Sequence, residues 1–112
     1  MTTLKLRKEM FPLINSGVKT STSRYGVRTI KLHDKLTLVA PEDSSCTIDV
    51  IVTGIQYCQF MDLTEEEAIA EGYASLAELR ATLEKLYNPQ DDDYFTLIKF
   101  IPCYTLTGKT DE

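Results

Sequence analysis

Between Gly17 and Arg24 the chain reads Gly-Val-Lys-Thr-Ser-Thr-Ser-Arg, so the amine of Lys19 and the guanidinium of Arg24 bracket the hydroxyls of Thr20, Ser21, Thr22 and Ser23. Cations beside hydroxyls suit a phosphate, a carboxylate or an activated nucleophile. An unassisted hydroxyl is a weak nucleophile at neutral pH and needs an adjacent base. A lysine supplies one when burial or a neighbouring cation lowers its pKa, and Arg24 is such a neighbour. The competing reading is an edge strand with a solvated polar face. A second unusual position is Glu71, just before Gly72, in the last turn of an expected helix. A carboxylate there opposes the negative end of the helix dipole, at a cost of about 0.3–1 kcal/mol when exposed. Rules broken without visible compensation often mark functional sites. Either a cation lies nearby in space, Lys19 or Arg24, or a short exposed helix simply tolerates the acid. Tyr25, Tyr73 and Tyr94 are candidates to stack on a nucleobase, against the alternative of rim or core tyrosines.

The elements that must position these groups follow from periodicity and turn chemistry. Leu4–Arg7 alternates apolar and basic residues and predicts a first strand. Met10, Leu13 and Ile14 follow at helical spacing, with Pro12 tolerable only in a first turn. Gly17 suits the left-handed residue that ends this helix. Thr20–Arg24 is the second strand, with Thr20, Thr22 and Arg24 on one face and Ser21 and Ser23 on the other. Residues 25–34 form a loop, closed by His33 and Asp34 as surface turn residues. Lys35–Ala40 is a third strand facing Leu36, Leu38 and Ala40 one way, and Pro41–Ser45 is a polar turn. Cys46–Tyr57 is a long strand whose Gly54 suggests a bulge. Thr64 with Glu67, and Ser75 with Glu78, predict capping boxes opening two helices. Gly72 ends the first. The second carries Leu76, Leu79, Leu83 and Leu86 on one core-facing stripe and stops at Asn88-Pro89. Tyr94–Ile101 is apolar on both faces and reads as a central strand, and residues 103–112 read as a frayed tail after a domain spanning 1–102. A small mixed barrel with helices on its rim is expected, with an open α/β sandwich as the alternative.

Composition bounds the partners. The 112 residues make one domain, and 43% apolar content supports a folded core. No run approaches a membrane span, and the opening Met-Thr-Thr-Leu-Lys-Leu-Arg-Lys has no secretory apolar segment, so a cytoplasmic protein without membrane partners is expected. Cys46, Cys58 and Cys103 are odd in number and widely spaced, which fits reduced thiols, and the single histidine excludes a multi-histidine metal site. The net charge of −5 disfavours broad backbone binding to nucleic acid. A local site for one nucleoside or nucleotide stays open, because the cations gather in the first third and the acids later, at 65–67 and 91–93.

Several of these segments, in order, resemble the ASCH domains of the PUA-like superfamily. The resemblance rests on Gly17-x-Lys19-x-x-Thr22-x-Arg24, on Asp34-Lys35-Leu36, on Ala68-x-x-Glu71-Gly72-x-x-Ser75-Leu76-x-Glu78-Leu79, and on Tyr94-Phe95-x-Leu97-Ile98-x-Phe100. It covers roughly residues 3–101. It implies an α+β fold: a small PUA-like β-barrel of five to six mixed strands with three short helices around the rim. It also implies a cleft lined by these motifs. One branch with this signature hydrolyses N(4)-acetylcytidine to cytidine and acetate with a lysine, a threonine and a glutamate, which correspond to Lys19, Thr22 and Glu71. On that reading Lys19 activates Thr22, Glu71 handles the proton, and Arg24, Tyr25 and Ser21 contact the substrate, with no metal or cofactor. The other activity the resemblance implies is binding of RNA or a nucleotide, and RNA cleavage in the same cationic cleft is a third reading. The chain departs from the branch at His33, which replaces a turn glycine, and in the basic loop carrying Arg28 and Lys31.

Overall fold

Alternation and turn chemistry translate into five strands and three helices in the computed structural model, which describes residues 2–103. Apart from Cys103, the tail expected to fray lies outside the described residues. In chain order the elements are β1 (Thr2–Lys5), a 3-10 turn (Lys8–Met10), α1 (Phe11–Asn15), β2 (Ser21–Tyr25), β3 (Lys35–Ala40), β4 (Asp43–Gln59), a second 3-10 turn (Phe60–Asp62), α2 (Glu65–Ala70), α3 (Leu76–Tyr87) and β5 (Tyr94–Pro102). The strands form one mixed sheet in the order β1-β3-β4-β5-β2. Only β1 and β3 run parallel; the other neighbours are antiparallel. The sheet curls into a half-barrel. Its two edges, β1 and β2, do not pair with each other.

Each face of the sheet carries its own core. Leu36, Leu38, Val50, Val52, Ile98 and Phe100 share one with Met10, Phe11 and Ile14 from the α1 region. Phe95 and Leu97 point to the opposite face, where Phe60, Leu63, Leu79 and Leu83 bury them beneath α2 and α3. Alternation along β5 explains why that strand is apolar on both sides: it is internal, and each face meets a different core. Pairing register then assigns β2. Thr22 lies opposite Ile98 and so faces the first core, whereas Ser23 lies opposite Leu97 and faces the helices.

Several boundaries differ from the sequence reading. The first strand spans Thr2–Lys5 rather than Leu4–Arg7, because its ladder with β3 ends at Val39. The turn at 41–45 is shorter, and β4 begins at Asp43 after an irregularity at Val39/Ala40. The expected bulge appears between Val52 and Gly54. The capping box at Thr64 and Glu67 is complete. At Ser75 only half of one forms: the hydroxyl accepts from the Glu78 amide, but the Glu78 carboxylate accepts from Ala74 rather than Ser75. Leu79 and Leu83 are buried and Leu76 packs against the same core, but Leu86 is 60% exposed. It does not belong to the core, because it lies in the last turn of α3 at the rim of a cleft.

Candidate functional site

The cleft opens where the sheet fails to close. Lys5, at the end of β1, with Leu6 and Arg7 just beyond it, forms one wall, and Thr22, Ser23 and Arg24 of β2 form the other. Across this seam the Arg24 Nη2 donates to the Lys5 carbonyl at 2.7 Å. Lys19, Glu71, Tyr73, Leu83 and Tyr87 complete much of the lining of a cavity of about 210 Å³. A water molecule's share of liquid is roughly 30 Å³, so this space has room for a base-sized group.

Backbone contacts bring the distant residues together. Gly17 adopts φ +84° and ends the short helical segment, as its position predicts. The amides of Val18 and Lys19 both donate to the Leu13 carbonyl, and Thr20 donates to Ala70 at 2.7 Å. That last bond ties the start of β2 to the end of α2. Glu71 is the C-cap of α2, and Gly72 follows at φ +93°. The Lys19 ammonium then donates to two main-chain carbonyls, Ser21 at 2.7 Å and Glu71 itself at 3.0 Å. A cation therefore sits at the carbonyl end of α2, and it answers the broken rule at Glu71.

Burial sets the electrostatics. Lys19, Thr22, Ser23 and Glu71 are all buried. Loss of hydration lowers the Lys19 pKa to about 8 from 10.5, Glu71 opposing the shift and Arg24 and Arg7 adding to it. Burial raises the Glu71 carboxyl above its usual range, against the pull of Lys19, of the Ser23 hydroxyl and amide, and of Arg24. Among the described residues Lys19 and Glu71 form no direct ion pair. The Ser23 hydroxyl instead donates to the Glu71 Oε2. The Thr22 hydroxyl, only 4% exposed, meets no protein hydrogen-bond partner among the described residues. Burial also lowers the Arg24 pKa, with the Tyr87 hydroxyl opposing; a guanidinium stays charged regardless.

The structure thus gathers Lys19, Thr22, Arg24 and Glu71 around one cleft. It does not bring in the other two expected contacts. Ser21 shares the face of Ser23 but lies two positions away along β2, where it lines a separate cavity with Leu97 and Lys99. Ser21 reaches the site only through its carbonyl. Tyr25 stacks on Tyr87 with ring centres 5.4 Å apart and donates to Asp93 at 2.8 Å, away from the cleft lining. Tyr94 is also absent from that lining, while Tyr73 is present and accepts a hydrogen bond from Arg7 at 3.2 Å. Ser23, Arg7 and Tyr87 are among the lining residues to which the sequence reading assigned no site role. Alternation put Ser23 on the face opposite Thr22, and only the edge position of β2 lets both meet the same cleft. Among the described residues no group of His, Cys, Asp and Glu is placed to hold a metal ion, and no helix is long and apolar enough to cross a membrane.

No family model and no curated protein matches the chain. Solved structures do. An ASCH domain from Lactobacillus crispatus superposes with a TM-score of 0.77 at 14% identity, covering 90% of this chain and 79% of that one. A mutant of an ASCH protein from Zymomonas mobilis gives 0.65 at 18% identity over 89% of this chain and 68% of that one. A DUF984 protein from Enterococcus faecalis gives 0.69 at 18% identity over 92% and 80%. The chain has the ASCH-domain fold, as the motif resemblance implied.

Proposed function

We propose that this chain is a small amidohydrolase that deacylates a modified pyrimidine nucleoside such as N(4)-acetylcytidine. The observation that carries the reading is the buried Thr22 hydroxyl, without a protein partner, in the cleft that also holds Lys19 and Glu71. Leaving a buried hydroxyl unpaired costs about 1–3 kcal/mol, a cost that a bound reactant would offset. Neutral Lys19 takes the Thr22 proton as Oγ1 attacks the acetyl carbonyl. Arg24 faces the developing oxyanion. Glu71 relays the proton from Lys19 to the leaving exocyclic nitrogen, the C–N bond breaks and cytidine departs. Water then hydrolyses the acyl-threonine, releasing acetate and restoring the hydroxyl. With Lys19 near 8, about a tenth of it is neutral at pH 7 and about half at pH 8, so turnover rises with pH through 8 and levels off about one unit above.

The test is chromatographic detection of cytidine from N(4)-acetylcytidine by the wild type and by Thr22→Val. The isosteric valine removes the unpaired hydroxyl, so it is expected to keep or raise stability while reducing turnover at least about 100-fold. Equal turnover in the two proteins removes Thr22 as nucleophile. A second reading rests on charge. Lys5, Arg7, Lys19 and Arg24 line the cleft, and Glu71 is the sole carboxylate among the lining residues, which favours an anionic ligand such as a nucleotide or RNA. RNA affinity that falls steeply with salt, without turnover of the nucleoside, supports that binding module instead; shortened RNA products support cleavage.

A further inference from the structure

Among the described residues Glu71 is the one carboxylate in the cleft lining, and its carboxylate takes its hydrogen bonds from a single residue, through the hydroxyl and the amide of Ser23. Four charged or titratable groups bear on it from the packed elements. Lys19 precedes β2, Arg24 lies on β2, Tyr73 follows α2, and Arg7, beyond β1, reaches it through Tyr73. None of them donates directly to the carboxylate. Lys19 spends its hydrogen bonds on the Ser21 and Glu71 carbonyls, Arg24 reaches to Lys5, and Arg7 pairs with Glu9 and Tyr73. Among the described residues the Ser23 hydroxyl alone is a side-chain donor to the Glu71 carboxylate.

We propose that Ser23 is a positioning residue: its hydroxyl aims the Glu71 carboxylate into the cleft and holds it in its ionised form, ready to relay a proton. This inference rests on the amidohydrolase reading and assigns a group within that site. Thr22 and Ser23 then divide the work of one strand. Thr22 faces the barrel core side with a free hydroxyl, and Ser23 faces α2 with a committed one. A hydroxyl that donates to a carboxylate stabilises its charged form and narrows its rotamers. Without it, burial acts on Glu71 with one opposing interaction fewer, and the carboxyl keeps its proton to higher pH.

The experiment compares wild type, Ser23→Ala, Ser23→Cys and Ser23→Thr. Carbon-13 labelling of glutamate carboxyls, with Glu71 assigned by its absence in Glu71→Gln, follows the titration of that group by NMR. The Glu71 midpoint is expected to rise in Ser23→Ala and Ser23→Cys and to return towards wild type in Ser23→Thr. With N(4)-acetylcytidine at pH 8, kcat is expected to fall at least about tenfold in Ser23→Ala, with KM within about twofold, and to recover in Ser23→Thr. Ser23→Cys keeps the comparison available if the alanine variant does not fold. An unmoved midpoint in both donor-poor variants overturns the proposal. So does a trapped acetyl group that peptide mapping places on Ser23, since the hydroxyl is then the nucleophile. The titration needs no turnover: an inactive wild type refutes the amidohydrolase reading, while the Ser23–Glu71 linkage is still decided by the midpoints.

Discussion

Lys19 makes a stability prediction that does not depend on any substrate. Its side chain is buried, and desolvation lowers its pKa from 10.5 to about 8. Below pH 8 both folded and unfolded chains hold the proton. Between about 8 and 10.5 the unfolded chain holds it and the folded chain does not. Stability therefore rises with pH across that window, by about 1.4 kcal/mol per unit and about 3 kcal/mol in all. The comparison protein is Lys19→Met. Methionine fills similar space but leaves the Ser21 and Glu71 carbonyls without their donor, at a cost of about 1–3 kcal/mol each. That cost shifts the variant's curve by a constant and leaves its slope alone. Removing the cation also raises the Glu71 carboxyl further, and a raised carboxyl loses stability as pH rises, so whatever part of that titration falls in the range steepens the difference in the same direction. Urea unfolding of both proteins from pH 7 to 10.5 reads the difference, and the titration of exposed lysines and tyrosines cancels. Parallel curves across that range refute the claim that Lys19 is buried with a depressed pKa.

Two further predictions address the frame around the site. Gly72→Ala puts a Cβ 3.0 Å from the Leu13 Cδ1 and 3.5 Å from the Lys19 Cβ, at φ +93°; about 1–2 kcal/mol of backbone strain, and more from the contact, should lower Tm by several degrees in a thermal melt. An unchanged Tm counts against the left-handed turn behind Glu71. On α3, Leu83→Ala should cost about 2–5 kcal/mol, whereas the exposed Leu86→Ser should stay within about 0.5 kcal/mol by chemical denaturation; equal losses return Leu86 to the core.

Local chemistry was legible in the sequence because it acts over a few residues. The alternation of Leu36, Leu38 and Ala40 marked a strand buried on one face, Thr64 with Glu67 marked a helix start, and Gly17 marked a left-handed stop. The motif residues Lys19, Thr22, Arg24 and Glu71 were legible as residue types. Their meeting was not, because Lys19 and Glu71 are 52 positions apart and meet only where the Thr20 amide finds the Ala70 carbonyl. The tertiary structure also decided between neighbours of equal composition. Ser23 reaches Glu71 while Ser21, on the same face two positions away, lines another cavity, Tyr25 is taken by Tyr87 and Asp93, and Leu86 stays in solvent although it shares a stripe with Leu83. The physical reason is the same in each case. Periodicity tells which residues share a face, but which strand edge is left unpaired depends on how every strand pairs. Here the unpaired edges are β1 and β2, and the cleft forms between them.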